Sequence, residues 1–191
     1  MFIKQLYTGC LSEAAYYIES EGEAAIIDPL RDIDEYITLA KERNAGIKYI
    51  FETHFHADFV SGHLDLSKQT GAPIIYGPGA KTNFKVHNSK DGEIFKLGKI
   101  NFEVLHTPGH TLESACYLLK DENDKAHALF TGDTLFVGDV GRPDLSSGNM
   151  SSEELAGIMY DTIQNKILPL ADDVIVYPAH GAGSSCGKNL G

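Results

Sequence analysis

Four apolar segments of this chain each run straight into residues that can donate to a metal ion, and this constrains the fold more than any other feature. Residues 47–53 lead into His54-Phe55-His56-Ala57-Asp58, and residues 100–106 into Thr107-Pro108-Gly109-His110. Residues 126–131 lead into Gly132-Asp133, and residues 174–177 into Pro178-Ala179-His180-Gly181. Short apolar runs bounded by turn residues read as buried strands. Glycine beside three of these sites permits tight turns that aim a side chain into a cleft. One such histidine alone is an ordinary loop residue, but imidazoles and carboxylates converging from separate strand ends make a transition-metal pocket. The spacing of His54 and His56 suits a strand or tight loop, not the four-residue helical spacing of zinc proteases.

The remaining segments supply the frame. Residues 2–7, 14–19 and 23–28 read as consecutive strands, with Glu21-Gly22 as a turn. Asp32 opens a helix with Glu35 as its capping-box partner and Ile33, Ile37 and Ala40 on one face. Asn44 and Gly46 close it. A second helix is expected over 61–69, and further strands over 73–76, 93–97 and 114–120. Ser151 with Glu154 caps a third helix, in which Leu155, Ile158, Met159 and Ile163 share a face. This order predicts an α/β (α+β) fold of two sheets with helices packed outside, as one domain over 1–191. The Gly- and Ser-rich stretch 181–191 offers no closing helix, so a loose tail or a cut from a longer chain is expected there.

Charge and cysteine content narrow the partners. A net charge of −11 argues against nucleic acid or an anionic membrane, and an anionic substrate would need a local positive patch. Three scattered cysteines, Cys10, Cys116 and Cys186, make no disulfide framework, so a reducing, cytoplasmic setting is expected. The first residues lack the pattern of a signal peptide. No run approaches the roughly 20 apolar residues of a membrane span.

The series His54-x-His56-x-Asp58, His110, Asp133 and His180 resembles the metallo-β-lactamase superfamily signature in order, over most of the chain. The resemblance implies an αββα sandwich of two mixed sheets with a metal site at the sheet edge. The stretches 136–145 and 177–188 resemble the persulfide dioxygenase branch, particularly bacterial members that carry a downstream rhodanese domain. The departure is Phe59, where the superfamily usually has a histidine for a second metal. A phenyl ring donates no lone pair, so the expectation is one ion per chain.

By that resemblance the ion is Fe(II) on His54, His110 and Asp133, with zinc a possible substitute in recombinant material. His56, Asp58 and His180 then orient ligands, hold water or move protons. The expected reaction joins a low-molecular-weight persulfide, glutathione persulfide foremost, to O2, giving sulfite and a thiol. Arg142 is a candidate for the substrate carboxylate, against a salt bridge to Asp139 or Asp144. Lys188 and Tyr177 are further substrate-side candidates, and Cys186 a candidate sulfur relay. Cys10 and Cys116 read as half-buried structural residues, and His106 as a hydrogen-bonded structural one. A homo-oligomer is expected. The alternatives are a glyoxalase II-like thioester hydrolase and a non-catalytic sulfur-binding module.

Overall fold

A computed structural model describes residues 1–144 and 150–181. β1 (Phe2–Thr8), β2 (Glu13–Ser20) and β3 (Glu23–Ile27) form an antiparallel meander. Its second turn puts Glu21 and Gly22 at φ of 52° and 76°, the left-handed pair that matches strand twist in a tight hairpin. α1 (Asp34–Glu42) crosses to β4 (Gly46–Phe51), and α2 (His63–Thr70) crosses to β5 (Ile74–Tyr76). With the short β6 (His87–Asn88) these complete a six-stranded sheet in the order β1-β2-β3-β4-β5-β6, parallel from β3 onward.

The second sheet starts with β7 (Ile94–Leu97), β8 (Ile100–His106), β9 (Ala115–Lys120) and β10 (Ala126–Gly132), all antiparallel. α3 (Ser152–Thr162) and a π-helical turn, Ile163–Ile167, then return the chain to β11 (Ile175–Pro178), which pairs parallel with β10. The order is β11-β10-β9-β8-β7.

Strand alternation explains the layering. Tyr16, Ile18, Ile27 and Phe51 face inward onto Phe102, Tyr117 and Phe130 of the other sheet. The neighbouring positions Tyr17, Ile26 and Ile50 face outward under Tyr36, Ala40 and Leu66 of the helical layer. Leu105, Leu118 and Leu129 likewise pack beneath Ile163 and Ile167. Both faces of both sheets are therefore covered, giving the expected αββα sandwich. No helix among the described residues is long and apolar enough to cross a membrane.

Local expectations held unevenly. Ser151 and Glu154 form the full capping box of α3, with bonds of 3.1 and 2.7 Å. α1 has no such box. It begins two residues past Asp32, whose carboxylate turns to the Asp34 amide, while Glu35 reaches Lys4 across the sheet at 3.8 Å. α2 starts at His63 because Ser61 is drawn into a bridge with Leu30 and its hydroxyl reaches Glu52. β6 and the π-helical turn are too short to leave a periodic signal.

Candidate metal centre

The edge where the sheets meet is stitched by backbone. Ala115 N donates to Thr53 O at 2.8 Å and Ala14 N to Ala179 O at 2.7 Å, so β4, β9, β2 and β11 end together. Asp28 leaves β3 with a left-handed φ of 51°, uncommon for a side-chain-bearing residue and held here by its bonds. One of its oxygens accepts from the Thr53 amide at 2.8 Å and the other from the Thr53 hydroxyl at 2.7 Å. Gly132 lies against this joint at φ 51°, where a Cβ would fall on the Thr53 hydroxyl. Gly141 lets the following loop pass over the centre, since a Cβ there would strike the Asp133 carbonyl.

Three imidazoles then surround the Asp133 carboxylate, each with its tautomer set by the other ring nitrogen. His54 Nδ1 lies 2.9 Å from Thr53 Oγ1. That hydroxyl has given its proton to Asp28, so Nδ1–H donates to it. His110 Nδ1–H donates to the Arg142 carbonyl at 2.9 Å, and His180 Nδ1–H to the Ser12 carbonyl at 3.2 Å. All three Nε2 atoms therefore present lone pairs. Those of His54 and His110 face Asp133 Oδ2 at 3.8 and 3.5 Å, and that of His180 faces Asp133 Oδ1 at 3.4 Å and Asp58 at 3.3 Å.

Neither Asp133 oxygen nor His180 Nε2 has a hydrogen-bond partner, although all are buried. Lone pairs facing carboxylate oxygens at these distances repel unless a cation lies between them. The donor set fits a metal. His54, His110 and Asp133 offer atoms within 4.8 Å of one another, and all three residues are buried. Burial, with the neighbouring imidazoles, holds His54 well below the ordinary imidazole range, keeping it neutral as a ligand must be.

His56 stands beside this group, its ring 4.2 Å from that of His54 and its Nδ1 buried without a hydrogen-bond partner. Its Nε2 turns inward to Asp28 at 3.0 Å and Glu52 at 3.5 Å, while its ring lies 4.3 Å from that of Phe59. Burial opposes a charge on His56, but the carboxylates of Asp28 and Glu52 outweigh it and lift the imidazole to about 10. Sequence reasoning missed this inner group: Asp28, Glu52, Glu13 and His63, the last at 3.3 Å from Glu52. Asp28 looks like a turn residue before Pro29; Glu52 was the available signal, a lone carboxylate inside an apolar run.

Other candidates fall elsewhere. The Arg142 guanidinium forms a two-pronged pair with Asp144, 3.0 Å on each arm, and the residue serves the centre through its carbonyl. Tyr177 stacks on Phe130 at 5.2 Å, so its ring belongs to the core between the sheets and not to the cleft. Cys186 and Lys188 lie outside the described residues. Cys116 is buried, and burial raises its thiol to about 11, whereas Cys10 is exposed and not half-buried. His106 is held by the Leu112 carbonyl at 2.9 Å, the structural role expected.

Residues 8–180 match the model of the metallo-beta-lactamase superfamily. The chain belongs to that superfamily. Among its relatives, the hydroxyacylglutathione hydrolase GloC of Haemophilus influenzae is 31% identical over 89% of this chain and 85% of its own length. Four more curated relatives, 30–34% identical, bear the same activity in their names, and the chain spans 58–66% of their length. Among solved structures, a metallo-beta-lactamase from Staphylococcus aureus aligns with a TM-score of 0.88 and 40% identity over all of this chain and 60% of its own. ETHE1 from Myxococcus xanthus aligns with a TM-score of 0.83 and 30% identity over all of this chain and 80% of its own.

These relatives correct the expected chemistry. These curated relatives bear hydrolase names, so the persulfide dioxygenase and oxidoreductase readings are overturned in favour of the glyoxalase II-like alternative. ETHE1, at 30% identity, is no nearer in sequence than those hydrolases. The physical error lay in giving Phe59 too much weight: it removes one donor, but Asp133 still turns one oxygen to each of two donor groups.

Proposed function

We propose that this chain is a metal-dependent thioester hydrolase whose substrate is a hydroxyacylglutathione. The observation that carries the reading is the two-sided Asp133 carboxylate, with His54 and His110 on one oxygen and His180 on the other. In this proposal His54, His110 and Asp133 hold one divalent ion. Asp133, His180 and Asp58 face a second position that Phe59 leaves one donor short. Three protein donors with positions left open suit a catalytic ion rather than a closed structural one. Two imidazoles and a carboxylate serve zinc or iron, and hydrolysis requires no change of oxidation state.

An ion held there would act as a Lewis acid, polarising the thioester carbonyl and lowering the pKa of a nearby water. The chain's own groups do the rest. Ser12, Thr53 and the Arg142 carbonyl fix the three rings, so the donors are placed before substrate arrives. With that second position empty, Asp58, 3.3 Å from His180 Nε2, is the carboxylate that would take a proton from the attacking water. The leaving group needs little help, because a thiol of pKa about 8.5 departs readily as thiolate. The Arg142 guanidinium is held by Asp144, 3.0 Å on each arm.

The test is thiol release from S-lactoylglutathione under anaerobic conditions, with metal content measured on the same sample. Oxygen-independent turnover, lost in Asp133→Asn, is expected. Metal-loaded, folded protein that releases no thiol would remove the reading.

A further inference from the structure

We propose that Glu52 is a positioning residue of the metal centre: with Asp28 it fixes the His56 ring so that Nδ1 stays open beside His54, and Ser61 and His63, at the start of α2, hold Glu52 in place. The proposal goes beyond the thioester reading and does not depend on it.

Glu52 ends an apolar run and is fully buried, a costly place for a carboxylate without partners. Its backbone is locked: the amide donates to the Ile75 carbonyl at 2.9 Å, and the carbonyl accepts from the Tyr117 hydroxyl at 2.8 Å. Each carboxylate oxygen then meets a different element. Oε1 accepts from the Ser61 hydroxyl at 2.5 Å and lies 3.3 Å from His63 Nδ1. Oε2 lies 3.5 Å from His56 Nε2, which Asp28 Oδ1 approaches to 3.0 Å. Both carboxylates thus stand on the Nε2 side of the His56 ring, so Nε2 keeps its proton and Nδ1 is the nitrogen left for a cation. That Nδ1 is buried without a hydrogen-bond partner, in a ring 4.2 Å from that of His54. The pattern repeats that of His54, His110 and His180, whose second nitrogens are also tied to the protein.

The support behind Glu52 is equally specific. Gly62 N donates to the Pro29 carbonyl at 2.8 Å, and a Cβ on Gly62 would strike the Leu30 carbonyl, so glycine lets α2 begin this close to the segment after Asp28. Ser61 and His63 flank that glycine, which delivers a hydroxyl and an imidazole to one carboxylate oxygen. The His63 ring is stacked on Phe84 at 5.2 Å, which sets its plane. Packing alone does not call for a carboxylate between two imidazoles. A ring held by Asp28 alone can still swing about that one contact, and Glu52 removes the freedom by holding the same nitrogen from a second strand end.

The test is made on the full chain with Co2+, whose visible absorption reports the ligands around it. Glu52→Gln keeps the shape and removes the charge. The folded variant is expected to bind Co2+ about 10–100-fold more weakly in competition with a chelator and, at saturation, to show shifted absorption bands. In a His56→Ala background the same substitution should have no further effect, because the ring it positions is gone. His63→Leu should weaken binding in the same direction, and His63→Asn, which returns an N–H close to the Nδ1 position, should restore it. Parent affinity and spectrum in Glu52→Gln would overturn the proposal. So would an equal loss with and without the His56 ring, the mark of a purely structural role. If Glu52→Gln does not fold, the two His63 variants decide, and a His63→Leu chain indistinguishable from the parent sinks the proposal. Failure to release thiol with these metal readouts intact would bear only on the function proposed above.

Discussion

Thr53 contributes no donor to the metal centre, yet it joins Asp28 to His54. Its hydroxyl donates to Asp28 and accepts from His54, and its amide also binds Asp28. Thr53→Val keeps the shape and removes the relay, so metal affinity should fall by about 10–100-fold, as measured by competition with a chelator. Phe59→His adds an imidazole beside His56, where the Phe59 ring now lies 4.3 Å from the His56 ring, and should raise the bound metal per chain at limiting supply. Glu13 carries the pH dependence. Burial first, then Asp28, raises its carboxyl from the ordinary 4.5 to about 9. Between those values the folded chain keeps a proton that the unfolded chain has released. Metal-free protein should therefore lose stability as pH climbs through that window. Glu13→Gln should flatten the slope in urea denaturation at acid and alkaline pH. At this scale the sequence revealed the outer donors, because His54, His110, Asp133 and His180 are donor types placed at strand ends. It did not reveal that His56 Nε2 pairs with Asp28 and Glu52, which only the folded chain brings beside it.

At the scale of elements, the signals that proved reliable were those with their partners close in sequence. Ser151 and Glu154 stand three apart and cap α3 reciprocally. Ser151→Ala should cost about 1 kcal/mol in denaturant unfolding. The same spacing at Asp32 and Glu35 failed because Asp32 closes a local turn and Glu35 is within reach of Lys4, contacts that spacing cannot register. β6 has two residues and exists only by pairing with β5. Its formation is a tertiary event, invisible to any periodicity.

For the molecule as a whole, the αββα arrangement was legible because apolar alternation within strands and the order of elements both demand two covered sheets. Phe51 sits where the sheets meet, its ring 5.1 Å from Phe102 and 4.6 Å from Tyr117. Phe51→Ala should therefore destabilise the chain by about 3–5 kcal/mol in equilibrium denaturation. The type of reaction was less legible than the architecture. One phenylalanine argued for a lone ion, while the opposite facing of the two Asp133 oxygens could be seen only in three dimensions. The last residue of that constellation also has a temporal consequence. His180 follows β11 and is clamped on Ser12, near the other end of the described chain, by the bond from the Gly181 amide and by its own Nδ1. During vectorial synthesis on a ribosome, His54 and His110 emerge long before this clamp can close. The full donor set therefore assembles only after residues 180 and 181 have emerged.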